Sequence, residues 1–199
     1  MKASDFEIMQ DKVNKALANP KQVTGLKPFH IYIGIDPGWT GAIVINAKDT
    51  LATDNYKIFK CPSTVQGMYE LLKWNLNIYK CQIKPIKIFA MIEKIHGRGS
   101  GSYRPVKWSS KTTFRFGENY GAWHALLTSY NARIIFINPQ QWQKRMLGKF
   151  ARGKSKETSL RVAKQRHPEL AKKIGKNHNI ADAINICELC EWYFRSEKE

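Results

Sequence analysis

Three acidic residues sit where a chain does not ordinarily put charge. The stretch "HIYIGIDPGWTGAIVI", residues 30–45, ends an apolar run on Asp36 and turns at once through Pro37 and Gly38. "IKIFAMIE", residues 86–93, is more apolar still and ends on Glu93. Asp182, in "NHNIADAINI", is carried by a helical pattern whose apolar positions Ile180, Ala183, Ile184 and Cys187 turn it towards the same core. If the two runs are parallel neighbours in a sheet, their C-terminal ends bring Asp36 and Glu93 into one cleft, the usual ligand position in open α/β sheets. Carboxylates gathered in a partly buried cleft repel one another and drift towards protonation unless a cation joins them. Magnesium, a hard ion that prefers oxygen ligands, suits such a cluster, and two ions roughly 3.5–4 Å apart can clamp both oxygens of a phosphodiester displacement. The Pro37–Gly38 turn would then clear space for a phosphate. Taken singly, Asp36 reads equally well as a turn former, and Asp182 reads more readily as an acid at a helix start than as a ligand; only the combination points to a metal.

The elements that must position these acids follow from periodicity. Strand-like runs at about 30–36, 40–46 and 52–60 are separated by short turns, "DPGW" and "AKD", which makes them antiparallel neighbours. A helix over 64–80, a buried strand over 86–93, a helix over 113–130 and a buried strand over 133–138 come next. Helices over 139–147, 155–166 (with Ser155 as its cap) and 179–196 complete the chain. Strands alternating with helices after an initial meander predict a mixed α/β sheet covered on both faces. Residues 4–18 place Phe6, Met9, Val13 and Leu17 at helical spacing, and "ANPKQVTGLKP" reads as a linker. Residues 1–28 are thus expected to form an N-terminal helical extension and linker, and 29–199 one domain.

The chain of 199 residues carries 33 Lys and Arg against 16 Asp and Glu, a formal charge of +17, which favours a polyanionic partner such as nucleic acid. No stretch approaches the length of an apolar membrane span, so a soluble, intracellular protein without a membrane partner is expected. Four cysteines fit a reducing compartment better than a disulfide framework. "CELC" at 187–190 has metal-ligand spacing but lies in a helical apolar pattern with no second ligand pair, and two packed thiols are expected there.

Two segments could meet DNA. "KIHGRGSGSYRPVKWSSKTTFR" interleaves Arg98, Arg104, Lys107, Lys111 and Arg115 with His96, Tyr103 and Trp108, cations for phosphates and rings for unpaired bases. The bland reading of so much Gly and Ser is a solvated loop. "KRMLGKFARGKSKE" supplies Lys149, Arg152, Lys154 and Lys156 just before a helix start, where amides and lysines suit a phosphate. In the helix over 113–130, Phe114, Gly117 and Gly121 form one stripe and Phe116, Tyr120, Trp123 and Leu127 another. A helix apolar on two sides has two partners: one stripe is expected to meet the sheet and the other a second copy or another helix.

Together these strings resemble the RuvC-like Holliday junction resolvases of the RNase H-like superfamily, particularly their phage-encoded branch. "IGIDPGWTGAI", "AMIEKI", "FRFGENYGAWHALL", "INPQQWQKRML" followed by "GKSKETSL", and "HNIADAINI" carry the resemblance over about residues 31–192. It implies a five-stranded mixed sheet that opens with an antiparallel meander, and metal ligands at Asp36, Glu93 and Asp182. It also implies Lys154 and Lys156 near the scissile phosphate, and paired nicking of four-way DNA junctions by a homodimer using Mg2+ or Mn2+. The family's further ligand, an Asp or His shortly before the last Asp, falls here on His178 or Asn179, and His178 is the better donor. A 28-residue extension is a further departure from the family.

Three functions remain open at this level. The first is a metal-dependent, structure-selective endonuclease leaving 5′-phosphate and 3′-hydroxyl ends, with no nucleotide cofactor, in a phage or bacterial setting. The second is a non-catalytic junction-binding protein on the same scaffold, suggested by the missing acid at 178–179. The third is a phosphotransferase of the actin and sugar-kinase type, whose phosphate loop "GIDPGWTGA" also resembles; it needs two such domains, more than 199 residues supply.

Overall fold

The computed structural model describes residues 28–38, 40–48, 55–80, 85–94, 110–151 and 153–196. The expected helix at 4–18, its linker, and His96, Arg98, Tyr103, Arg104, Lys107, Trp108 and Arg152 lie outside the described residues.

Strands β1 (Phe29–Asp36), β2 (Ala42–Lys48) and β3 (Asn55–Lys60) form the antiparallel meander, followed by α1 (Val65–Lys80) and β4 (Ile86–Glu93). Next come α2 (Ser110–Ser129), β5 (Arg133–Ile137), α3 (Pro139–Leu147), α4 (Ser155–Arg166), a 3-10 turn (Pro168–Leu170), the short α5 (Ala171–Ile174) and α6 (His178–Ser196). The five strands lie in the order β3-β2-β1-β4-β5, with β1 paired antiparallel to β2 and parallel to β4, and β4 parallel to β5. No described helix is long and apolar enough to cross a membrane.

Side-chain alternation sorts the strands onto two cores. Ile31, Ile33 and Ile35 of β1, with Ala90 and Ile92 of β4, pack under Met68, Leu72 and Leu76 of α1 and Trp123 and Leu127 of α2. Tyr32, with Phe89 and Met91, packs on the other face under α3, α4 and α6. Each fully buried Ile or Leu contributes roughly 1.5–3 kcal/mol, so a one-residue slip of β1 would invert both cores at once. Helices therefore cover both faces, as the periodicity predicts.

Close approach sets how α6 lies on β1. A Cβ on Gly34 would stand 2.3 Å from both the Ala183 carbonyl oxygen and the Cys187 nitrogen, so only glycine admits the helix at this height. The two thiols of "CELC" are packed, as expected: Cys187 and Cys190 are wholly buried, and Cys187 Sγ donates to the Tyr32 carbonyl at 3.4 Å.

Several boundaries differ from the sequence reading. Strand β2 begins at Ala42 rather than 40, because residues up to Gly41 belong to a turn in which Gly41 N–H donates to Gly38 O at 2.8 Å. Helix α2 begins at Ser110, three residues before the expected start, which brings Lys111 into its first turn. Helix α6 starts at His178, capped by Asn177, whose Oδ1 accepts the N–H groups of Asn179 at 3.0 Å and Ile180 at 3.3 Å. Ser155 is not the cap of α4: Lys154 holds that position and makes no side-chain capping bond.

Candidate functional site

Strand parity decides where the acids go. Asp36 shares the face of Tyr32 and Gly34, and Glu93 shares the face of Phe89 and Met91; both are the face on which α6 lies. The parallel register pairs Ile35 with Ile92, so Asp36 and Glu93 are the next residues on adjacent strands. Asp182, one turn into α6 and followed by the Ala183 that touches Gly34, is delivered over them from above. The structure thus brings together the three acids that the sequence singled out.

Their electrostatics show the cost. Burial pushes Asp36 up from the ordinary carboxylate value, while the Gly38 N–H and the charge of Lys156 pull it back. Glu93 is pushed up to about 7, by burial first and then by the charges of Asp36 and Asp182. Asp182 is likewise pushed up to about 7 by burial and by Asp36, against the pull of Ser159 and Lys156. Each acid is held differently. Asp36 Oδ1 accepts from Gly38 N at 3.2 Å, Asp182 Oδ1 accepts from the Ser159 hydroxyl, and Glu93 has near it the Trp142 indole N–H, which falls short of a hydrogen bond. Cys61, just after β3, donates its thiol to the Asp36 carbonyl at 3.3 Å, and burial holds it well above its ordinary value.

His178 and Asn179 part company. Asn179 Nδ2 donates to Thr40 O at 2.6 Å and Thr40 Oγ1 at 3.0 Å, tying the start of α6 to the β1–β2 turn. His178 stands four residues before Asp182, one turn away on the same side of α6, and burial and the Lys156 charge lower its pKa, favouring the neutral imidazole that can ligate. Among the described residues no three His, Cys, Asp or Glu side chains already stand at metal-ligand spacing. The four-membered set Asp36, Glu93, Asp182 and His178 is therefore not preassembled.

The two lysines also differ. Lys156 acts electrostatically on Asp36, Asp182 and His178. Lys154 is paired with Glu157 at 2.8 Å in solvent. Arg115 and Lys149 are exposed, on α2 and after α3 respectively. Phe114 is 68% exposed, and a Cβ at Gly117 or Gly121 would meet nothing within 4 Å, so the Phe114 stripe of α2 has no neighbour among the described residues. No second helix among the described residues covers it. Sequence reading gave Ser159 and Trp142 no role of their own, although both lie in strings that carry the resemblance and the i+3 spacing of Ser159 from Lys156 puts those two on one side of α4.

The sheet order, the meander and the acidic face under α6 define an RNase H-like α/β fold. Among solved structures it is similar to Thermus thermophilus RuvC, with 16% sequence identity and a TM-score of 0.55 over 84% of this chain and 96% of that one. It is similar as well to T. thermophilus RuvC in complex with a Holliday junction substrate, at 18% identity and a TM-score of 0.53 over 85% and 96%. No protein-family model matches the chain, and no curated protein matches it by sequence.

Proposed function

We propose that this chain is a divalent-cation-dependent endonuclease that nicks branched DNA, four-way junctions in particular, in pairs. The observation that carries this reading is the convergence of Asp36, Glu93 and Asp182 from β1, β4 and α6 in a partly buried site where, among the described residues, only the charge of Lys156 offsets theirs. Hard carboxylate oxygens with a neutral imidazole beside them fit Mg2+ or Mn2+. Asp36, Glu93, Asp182 and His178 would hold two such ions, which when bound supply charge neutralisation at phosphorus and a water of lowered pKa.

The chain's own residues do the rest. Lys156 offers its ammonium to a phosphate oxygen at the rim. Glu93, buried against Trp142, and Asp182, tied to Ser159, keep two carboxylates at fixed positions on the floor. The surplus of +17 draws in the DNA, and attack by water would leave 5′-phosphate and 3′-hydroxyl ends. The bare Phe114–Gly117–Gly121 stripe of α2 is the proposed homodimer surface, which would match a junction's near two-fold form. That a protein of this fold is known bound to a Holliday junction substrate supports the choice of substrate.

The test is a synthetic four-way junction incubated with Mg2+ or Mn2+, beside three-way, flap and linear DNA. Paired nicks confined to branched DNA, and lost in Asp36→Asn while junction binding persists, are expected. Binding without nicking, or full nicking by Asp36→Asn, would overturn the reading.

A further inference from the structure

The Ser159 hydroxyl is wholly buried on α4 and donates to Asp182 Oδ1. The same hydroxyl oxygen accepts from Asn185 Nδ2 at 3.0 Å, and Asn185 Nδ2 also reaches the Ser159 carbonyl at 3.3 Å. A hydroxyl has one hydrogen to give. With Asn185 donating to its oxygen, that hydrogen is directed at the carboxylate. Asn185 lies three residues after Asp182 on α6, so Ser159 of α4 bridges two α6 side chains that stand on one side of that helix. Among the described residues Ser159 is the one hydrogen-bond donor to the Asp182 carboxylate.

We propose that Ser159, oriented by Asn185, is the positioning residue of the cation site: it fixes the rotamer of Asp182 and leaves the second carboxylate oxygen to the ligand. This rests on the nuclease reading and deepens it. A free carboxylate would rotate about its side-chain torsions away from Asp36 and Glu93, which raise its energy by repulsion; the hydroxyl holds it against that push. Because Ser159 and Lys156 share one side of α4, a single helix supplies both the hydrogen bond that holds the acid and the cation at the rim. The packing of α4 on α6 thereby becomes part of the site.

Partners that orient a metal ligand are typically worth about 10–100-fold in metal affinity or activity. The experiment compares full-length wild type with Ser159→Ala, Ser159→Thr, Asn185→Ala and Asp182→Asn. Mn2+ binding to the DNA-free protein is read by calorimetry, junction binding in EDTA by gel shift, nicking across a Mg2+ titration, and Tm alongside. We expect Ser159→Ala to weaken Mn2+ binding roughly tenfold and to raise the half-saturating Mg2+ by a similar factor, with junction binding unchanged. Ser159→Thr, which keeps the hydroxyl, should recover most of the loss. Asn185→Ala, which keeps the serine but removes its orienting donor, should lose part of the affinity, and it carries the test if Ser159→Ala does not fold. Unchanged Mn2+ affinity in Ser159→Ala and Asn185→Ala, with only Tm lowered, would overturn the proposal. If Asp182→Asn itself nicks and binds Mn2+ like wild type, the failure lies instead with the nuclease reading.

Discussion

Helix α6 carries buried acids at both of its ends, and they are treated in opposite ways. Near its C-terminus Glu191 is buried yet fully served: Lys48 pairs with it at 2.6 Å, Arg195 at 2.8 Å, and Asn46 donates at 3.3 Å. One turn earlier, although burial pushes Glu188 up, the neighbouring His167 and Arg166 carry it below the ordinary value. Near the N-terminus, among the described residues, Asp182 is hydrogen-bonded only by a neutral serine and feels Lys156 only through its charge; it faces two further acids and is driven up to about 7. A hollow of about 790 Å³, lined by Lys48, Arg166, Glu188, Glu191 and Trp192, lies at the neutralised end. Space is therefore a poor guide here and unbalanced charge a better one: where the fold pairs its acids with cations it is building structure, and where three acids share the charge of Lys156 alone among the described residues it leaves a place for a cation from outside.

The contrast breaks most sharply if acids at the two ends are exchanged for amides. Asp182→Asn and Glu93→Gln should cut junction nicking by at least about 100-fold, beyond what outer-sphere changes usually cost, while raising the cation-free Tm by a few degrees because a repulsion is removed. Glu191→Gln should do the reverse, leaving nicking intact. A calorimetric scan alongside the nicking assay checks both, and a Glu191→Gln variant without activity would erase the distinction.

A smaller effect separates the two lysines. Lys156→Ala should slow nicking about tenfold and Lys154→Ala less than twofold, since only the former acts on the acids. Single-turnover rates at saturating Mg2+ decide it; equal losses would mean that the Lys154–Glu157 pair opens on DNA.

Smaller again is the stability cost at the neutralised end. Glu191→Gln removes the carboxylate that Lys48 and Arg195 share, costing about 2 kcal/mol, or roughly 4–8 °C in Tm for a chain of this length.

The gentlest probe is pH. Glu93 and Asp182 stand at about 7 when folded, against ordinary values of 4.5 and 3.8. Between those limits the folded chain binds more protons than the unfolded one, so their contribution is complete below the unfolded values and is lost as pH rises through about 7. Cation-free Tm should thus decline between about pH 5 and 8, and millimolar Mg2+ should flatten the slope. A Tm that rises over this range in the absence of cation would contradict the charge assignment at the acidic end.

Much of this was legible beforehand, for reasons that can be named. The strand β4 and the helices α3 and α4 match their expected spans because each is bounded by residues that permit little else: Pro139 opens α3 and Gly148, at a φ of 69°, closes it. Convergence of Asp36 and Glu93 followed from placing two apolar runs side by side, and their parity with Tyr32 and Met91 was already in the sequence. The 3-10 turn and α5 were not foreseen, because "PELAKKIG" is too short to show a period before Gly175 ends it at a φ of 52°. Nor could spacing tell Lys156 from Lys154, His178 from Asn179, or Ser159 from any other serine. Those distinctions depend on which side chains meet between elements distant in the chain, as Asn179 of α6 meets Thr40 of the β1–β2 turn, and local pattern carries no such information.

Gly34 has a role larger than packing. It lies two residues before Asp36, and the backbone it touches belongs to the residues flanking Asp182 and one turn beyond. A missing methyl thus serves as a spacer gauge, fixing the gap across which two carboxylates face each other. Widening that gap by even one carbon would leave every reacting group in place chemically and yet out of reach of its neighbour.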